Sequence, residues 1–330
     1  MKSITSTLLA ALAVLVLGNI TAHAVVTFDW ASVGDPANAP DGTGYGSVAT
    51  TYRIATTEVN LIQYTEFLNA VDPNGLNPNS LYNGSMATNL NIAGISFNSG
   101  AAAGNKYAVT GISGLRPVTY VSWNDGARFV NWLHNGQGAG SMENGVYDMS
   151  VGTPTRSLTA GYWIPSEDEW YKAAYYDPSV SGPSDDYWLY PTRSDSAPGN
   201  IVGAGANRAN YNNGVYSVTQ SGSYSLSQNY LTDGGAFSGS PSHYGTYDQG
   251  GNVFEWNDTV NAGSSRGLRG GSWDYNEFYL RSSNRNDLDP SSEFYFVGFR
   301  VASVPEPSTA MLMLLGGATL LARKRRRITL

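Results

Sequence analysis

The chain has 330 residues, room for one large domain or two modest ones, and its lack of cysteine excludes disulfide scaffolds, thiolate metal sites and cysteine nucleophiles. Of its three histidines, His23 falls in a removable leader, so a three-histidine metal centre is excluded too. Charged residues make up only 14 % while Tyr (22), Trp (8) and Gly (38) abound; antigen-binding loops use a similar mixture for surface recognition.

Residues 1–24 read as a signal peptide, with Lys2 in a short polar start, an apolar run from Leu8 to Leu17 and the small-x-small pattern Ala22-His23-Ala24. A buried N-terminal helix would not explain that order of features, so export is the consequence. Residues 25–303 contain no tandem repeat and no clean linker, because their Gly/Ser/Asn-rich stretches at 91–105 and 182–213 are interleaved with apolar or aromatic residues. They are assigned to one domain with long ordered loops.

Three helices are expected in it. Asn60 caps the first, with Gln63 at the third position and Leu61, Tyr64, Leu68 and Val71 on one face before Pro73. Ser122 opens the second, with Asp125 in its first turn and Ala127 and Val130 inward. Ser166 and Glu169 form a capping box for the third, whose buried stripe is Trp170, Ala173 and Ala174. Its acidic start, Glu167-Asp168-Glu169, complements the helix dipole, the alternative being a carboxylate pair for acid–base chemistry. Short strands are expected over Tyr52–Ile54, Val253–Trp256 and Phe294–Phe299, which makes the domain α+β with low regular content.

At the end of the chain, Val304-Pro305-Glu306-Pro307-Ser308 precedes an apolar run from Ala310 to Ala322 and the basic residues 323–327. A helix over that run would span about 20 Å at 1.5 Å per residue, short of a hydrocarbon core of about 30 Å. Segment 304–330 closely resembles the PEP-CTERM sorting signal. Beside the signal peptidase that the leader calls for, the resemblance implies an exosortase as processing partner, transient membrane association through the C-terminal helix, and a place in the cell envelope, on the outer surface or in the extracellular matrix of a Gram-negative bacterium. An ordinary tail anchor with positive-inside flanks is the alternative. Removing six basic residues and Glu306 with the two ends leaves thirteen basic and twenty-five acidic residues, a formal charge of −12 for residues 25–304. Such a surface excludes nucleic acid and anionic lipid as partners and is compatible with divalent cations.

Six motifs occur in fixed order across residues 26–302. They are Thr57-Glu58-Val59-Asn60 with Tyr64 and Phe67, Pro117-Val118-Thr119-Tyr120-Val121-Ser122-Trp123, Trp163-Ile164-Pro165-Ser166 with Glu169-Trp170, Gly251-Asn252-Val253-Phe254-Glu255-Trp256, Arg269-Gly270-Gly271-Ser272-Trp273, and Val297-Gly298-Phe299-Arg300-Val301. Together they resemble the formylglycine-generating enzyme, or sulfatase-modifying factor, family. The resemblance implies a single compact domain related to the C-type lectin fold. Oxidase members of that family hold copper on two cysteines after the Gly-Gly-Ser motif, where this chain has Tyr275 and Leu280. Neither a phenol nor an alkyl chain replaces a soft thiolate ligand, so no copper is expected. No iron is expected either, because the sulfoxide-synthase branch needs histidines that are missing here.

The resemblance further implies structural calcium on Asp248, Gly251, Val253 and Glu255, and a second calcium on Asn210, Tyr211, Asn213 and Val215, where Asn213 stands in place of the usual aspartate. Calcium favours such sets of carboxylate and main-chain oxygens. The alternative for Glu255 is a carboxylate that caps backbone N–H groups without a metal. The polar run Asn284, Asn286, Asp287 and Asp289 reads as a turn. Trp273, Tyr275, Asn276, Arg281 and Arg285, which follow the Gly-Gly-Ser turn, are assigned to a ligand cleft, with a core position as the alternative for Trp273. The expected function is that of an exported, non-catalytic module with a surface glycan or peptide as ligand. An enzyme of the same family with cysteine-independent chemistry is the alternative.

Intact-mass measurement of the protein from its native host is expected to give an N-terminus at Val25 and loss of the C-terminal apolar helix; retention of Met1 or Arg327 would contradict both cleavages.

Overall fold

A computed structural model describes residues 25–138, 140–179, 186–261 and 263–305; the leader and the apolar and basic parts of the sorting segment lie outside them. The domain is α+β, with long irregular connections between short elements. One antiparallel sheet brings the two ends of the domain together. Its strands β1 (Trp30–Val33), β2 (Tyr52–Ala55), β5 (Tyr162–Trp163) and β10 (Ala302–Ser303) lie in the order β1-β2-β10-β5, so the last strand is clasped between two earlier ones. Strands β3 (Ile95–Phe97) and β4 (Tyr107–Val109) form a separate hairpin. The third sheet has the order β8-β7-β6-β9, from β6 (Phe254–Val260), β7 (Arg266–Arg269), β8 (Asn286–Leu288) and β9 (Val297–Phe299). In it β9 runs parallel to β6 and sets Gly298 opposite Glu255.

The three expected helices form with their reciprocal caps. Helix α1 (Leu61–Val71) is capped by Asn60 and Gln63, α3 (Trp123–His134) by Ser122 and Asp125, and α4 (Glu167–Tyr175) by Ser166 and Glu169. A four-residue helix, α2 (Ser85–Thr88), has no side-chain cap and no signal that would have revealed it. Strands β2 and β6 fall on two of the expected runs. The third run is a strand only at Val297–Phe299, because the Phe294 carbonyl turns back to accept from the Val297 N–H at 3.3 Å and the Tyr120 N–H at 3.0 Å. Asn286 and Asp287, read as part of a turn, belong to the edge strand β8.

The core lies between α1, α3 and the sheets. Phe129 of α3 meets Phe67 of α1 edge-on at 5.3 Å and Phe299 of β9 at 5.5 Å, all three rings fully buried. Each such burial contributes about 1.5–3 kcal/mol. Helix α3 approaches this closely because Gly126 lacks a Cβ, which would sit 3.3 Å from the Ile164 side chain.

Asp125 completes its capping box inside this core, accepting from the Ser122 N–H at 2.8 Å and hydroxyl at 2.6 Å. Burial, the largest influence on it, pushes its carboxyl up to about 7. The folded protein then binds this proton more tightly than the unfolded chain, so the group costs stability as pH rises from about 4 to about 7, by up to roughly 4 kcal/mol. Asp125→Asn keeps the cap and removes the titration. In urea unfolding it is expected to gain stability relative to wild type between about pH 4 and about pH 8; a difference that does not change with pH contradicts the assignment.

Candidate functional site

The segment after β7 turns through two glycines with positive φ. A Cβ on Gly270 would meet the Gln249 carbonyl at 2.7 Å, and one on Gly271 the Leu280 side chain at 2.7 Å. This tight turn sends Trp273 inward. The indole is 1 % exposed and stacks on Tyr230 at 4.8 Å with 5° between planes, with Tyr216 and Tyr295 around it. Trp273 is therefore core, which corrects its assignment to the cleft.

Tyr275 does line a cleft, an open recess of about 270 Å³ on the β8-β7-β6-β9 sheet. Its ring meets Tyr279 at 4.8 Å, Phe254 at 5.2 Å and Phe296 at 5.3 Å, while Phe294 and Asp287 complete the rim. The other three expected cleft residues point elsewhere. Asn276 caps a 3-10 helix over Glu277–Leu280, accepting from the Phe278 N–H at 3.1 Å. Arg281 donates to the Tyr190 hydroxyl at 3.0 Å. Arg285 pairs with Glu167 at 3.0 and 2.8 Å and with Asn261 at 2.7 Å. Glu167 also holds Arg269 at 2.7 Å, so the acidic start of α4 is a structural clamp. The cleft rings at Phe254, Phe294 and Phe296 escape the sequence reading because all three fall in expected strand runs, and Tyr279 because it lies outside the six motifs.

At the first expected calcium locus the Glu255 carboxylate is already occupied. Arg300 donates to its two oxygens at 2.5 and 2.6 Å and Trp170 at 2.8 Å, with both charged side chains fully buried. Glu255 is thus an internal ion-pair partner, a correction to its place as an ion ligand. Asp248 accepts from the Gly235 N–H at 2.6 Å, and burial, outweighing that bond, raises its carboxyl to about 6. Nearby, both carboxylate oxygens of Glu58 are buried without a hydrogen-bond partner. Among the described residues, no three His, Asp or Glu side chains form a metal-holding group by themselves.

At the second locus, three of the expected oxygens do converge, but on an amide. Asn200 Nδ2 donates to the Val215 carbonyl at 2.8 Å, Asn213 Oδ1 at 3.1 Å and the Tyr211 carbonyl at 3.2 Å. The Asn210 side chain faces away, toward the Tyr230 carbonyl at 3.0 Å and Asn252 at 3.1 Å. Nothing in the local sequence marks Asn200 as the centre of this loop.

The family model described as the sulfatase-modifying factor enzyme 1-like domain matches residues 42–304, and that of the PEP-CTERM protein-sorting motif matches residues 303–327. No curated protein gives a significant match. The crystal structure of CarF is similar at 19 % identity with a TM-score of 0.51, covering 86 % of this chain and 100 % of that one, which shows a shared fold. Treponema denticola variable protein 1 aligns at 18 % identity and TM-score 0.45, over 86 % of this chain and 98 % of its own. PvdO from Pseudomonas aeruginosa aligns at 19 % and 0.39, over 84 % and 92 %.

Because the Asn200 amide is the donor for three acceptors, Asn200→Asp should lose about 2–4 kcal/mol of stability in chelator. Calcium should recover part of that loss, since a carboxylate among these oxygens is the set such an ion prefers. Denaturant unfolding with and without calcium measures both effects; an undiminished stability in chelator contradicts the role given to the amide.

Proposed function

Because the chain belongs to the sulfatase-modifying factor enzyme 1-like family, we propose a function built on that scaffold without its oxidase chemistry: an exported recognition module whose ligand, a surface glycan or peptide, enters the aromatic cleft. The observation that carries this reading is the fate of the two positions where oxidase relatives hold copper. Tyr275 supplies a ring to the cleft wall and Leu280 is fully buried beneath the turn. Rings packed edge to face at 4.8–5.3 Å, with Phe294 stacked on Phe296 at 5.2 Å, give the recess an apolar aromatic wall, and Asp287 and Asn286 supply hydrogen-bonding groups at the rim, a combination suited to amphipathic ligands.

The sorting motif makes this an exported protein and implies processing by an exosortase, with the domain delivered to the cell surface or beyond it. Delivery to the outer surface or extracellular matrix supports recognition as the task. Calcium remains a proposal at one locus only. Asp248 would hold it with the main-chain oxygens of Gly251 and Val253, and the orphaned oxygens of Glu58 are the observation that makes a cation fit there. The second locus does not fit, because the Asn200 amide already joins its oxygens.

Purified mature protein is expected to bind members of a glycan or peptide array, and Tyr279→Ala combined with Asp287→Ala to weaken that binding at least about tenfold without altering the unfolding transition. It is also expected to leave a sulfatase-type cysteine peptide unchanged. Copper-dependent conversion of that peptide to an aldehyde, seen by mass spectrometry above a no-protein control, would overturn the non-catalytic reading.

A further inference from the structure

The ring stack around Trp273 reaches the surface at Tyr224. Trp273 and Tyr230 are 1 % exposed, whereas Tyr224, which stacks on Tyr230 at 5.7 Å with 9° between planes, is 49 % exposed. Its hydroxyl donates to Asn91 Oδ1 at 2.5 Å, which holds this half-exposed ring in place. The Tyr216 ring lies 6.0 Å from both Tyr224 and Trp273, and the Tyr295 ring 5.8 Å from Trp273. The hydroxyls of Tyr295 and Tyr216 meet at the carboxylate of Asp274, the first donating to it at 2.9 Å and the second loosely at 3.5 Å. Asp274 is half-buried, and among the described residues no Lys or Arg pairs with it: burial raises its carboxyl, and only the Tyr295 and Tyr216 hydroxyls lower it. A carboxylate has about four acceptor sites, so these phenols leave it short of donors. Tyr275, Phe294 and Phe296 line the aromatic recess, but their chain neighbours Asp274 and Tyr295 do not.

Elsewhere the chain shows what a carboxylate beside aromatic rings takes. Arg266 lies 3.6 Å from the Trp123 ring centre and pairs with Asp258 at 3.0 Å; Arg156 lies 4.9 Å from the Trp163 ring centre and pairs with Glu169 at 2.9 Å. Arg269 lies over Tyr45 and Tyr171 and pairs with Glu167. A guanidinium is planar, so it covers a ring and offers N–H donors to a carboxylate at once. Lys172 behaves differently, for it lies 5.5 Å from the Tyr176 ring centre and donates to the carbonyls of Gly34 and Asp35. At Asp274 the rings and the carboxylate meet without a basic side chain of this chain. We infer that Asp274, with Tyr224, Tyr216 and Tyr295, is the docking site for an arginine side chain presented by a partner protein. The formal charge of −12 over residues 25–304 draws a basic partner toward it. The site is separate from the aromatic recess and stands whether or not that recess takes a ligand.

The test is titration of the purified mature protein, followed by NMR, with an N-acetylated Gly-Arg-Gly amide, with its citrulline counterpart and with methylguanidinium. The arginine peptide should bind, and the citrulline peptide, which has the same shape without the charge, should bind at least about tenfold more weakly. Asp274→Asn and Tyr224→Ala should each weaken the arginine peptide at least about tenfold, while Asp148→Asn, at an exposed carboxylate elsewhere, should leave its binding unchanged. No binding of the arginine peptide at millimolar concentration, equal binding of the citrulline peptide, or an equal effect of Asp148→Asn and Asp274→Asn overturns the inference. Methylguanidinium bound as tightly as the peptide would assign the site to a small guanidinium compound and overturn the docking role. Should Asp274→Asn not fold, Tyr224→Ala decides in its place.

Discussion

The buried ion pair between Arg300 and Glu255 gathers four distant parts of the chain at one point. Glu255 lies on β6, Arg300 follows β9, and the guanidinium reaches the carbonyls of Ala55, Thr56 and Tyr247 while Trp170 of α4 closes on the carboxylate. Removing one partner of a fully buried pair typically costs 3–5 kcal/mol, because the survivor is left uncompensated. Here the loss would also free carbonyls at the end of β2. Burial is thus not incidental, for a solvated pair of this kind would contribute almost nothing.

A second clamp, Arg269 with Glu167, repeats the design on the neighbouring strand, where Arg269 lies directly across from Glu255. Arg269 donates to the carbonyls of Ser282 and Asn284 at 2.6 and 2.8 Å, and its guanidinium lies 4.7 Å from the Tyr45 ring and 4.9 Å from the Tyr171 ring. The irregular segment between the Gly-Gly-Ser turn and β8 is fixed in this way without regular hydrogen-bonding ladders. The cleft inherits that rigidity. Its rings come from β6, from Tyr275 and the 3-10 helix, and from the segment before β9, where the Phe296 carbonyl accepts from the Phe254 N–H at 2.8 Å.

What the residues announce in advance is what short-range physics decides. The boxes at Asn60, Ser122 and Ser166 declare three helices because a cap needs only residues three apart. Motif order declares the family and α+β class. The site was harder. Trp273 could be assigned to the cleft only by its distance from the turn, since the Tyr230 ring that buries it lies forty-three positions earlier. Glu255 looks the same in sequence whether it meets an ion or a guanidinium. Asn200 is an ordinary asparagine until the loop around Val215 folds back on it. Long-range partners, which a linear pattern does not contain, decide each case.

Strand β10 gives the sorting tail a mechanical meaning. Its two residues pair with β2 on one flank and β5 on the other, and the chain then leaves directly toward the sorting segment. Tension applied at that exit, by a processing machine or a surface tether, cannot peel the strand from an edge. It must shear both flanking ladders at once, and the load passes within two residues to Arg300, whose bonds distribute it to both major sheets. The domain can thus be hauled by its tail without first being unravelled from it.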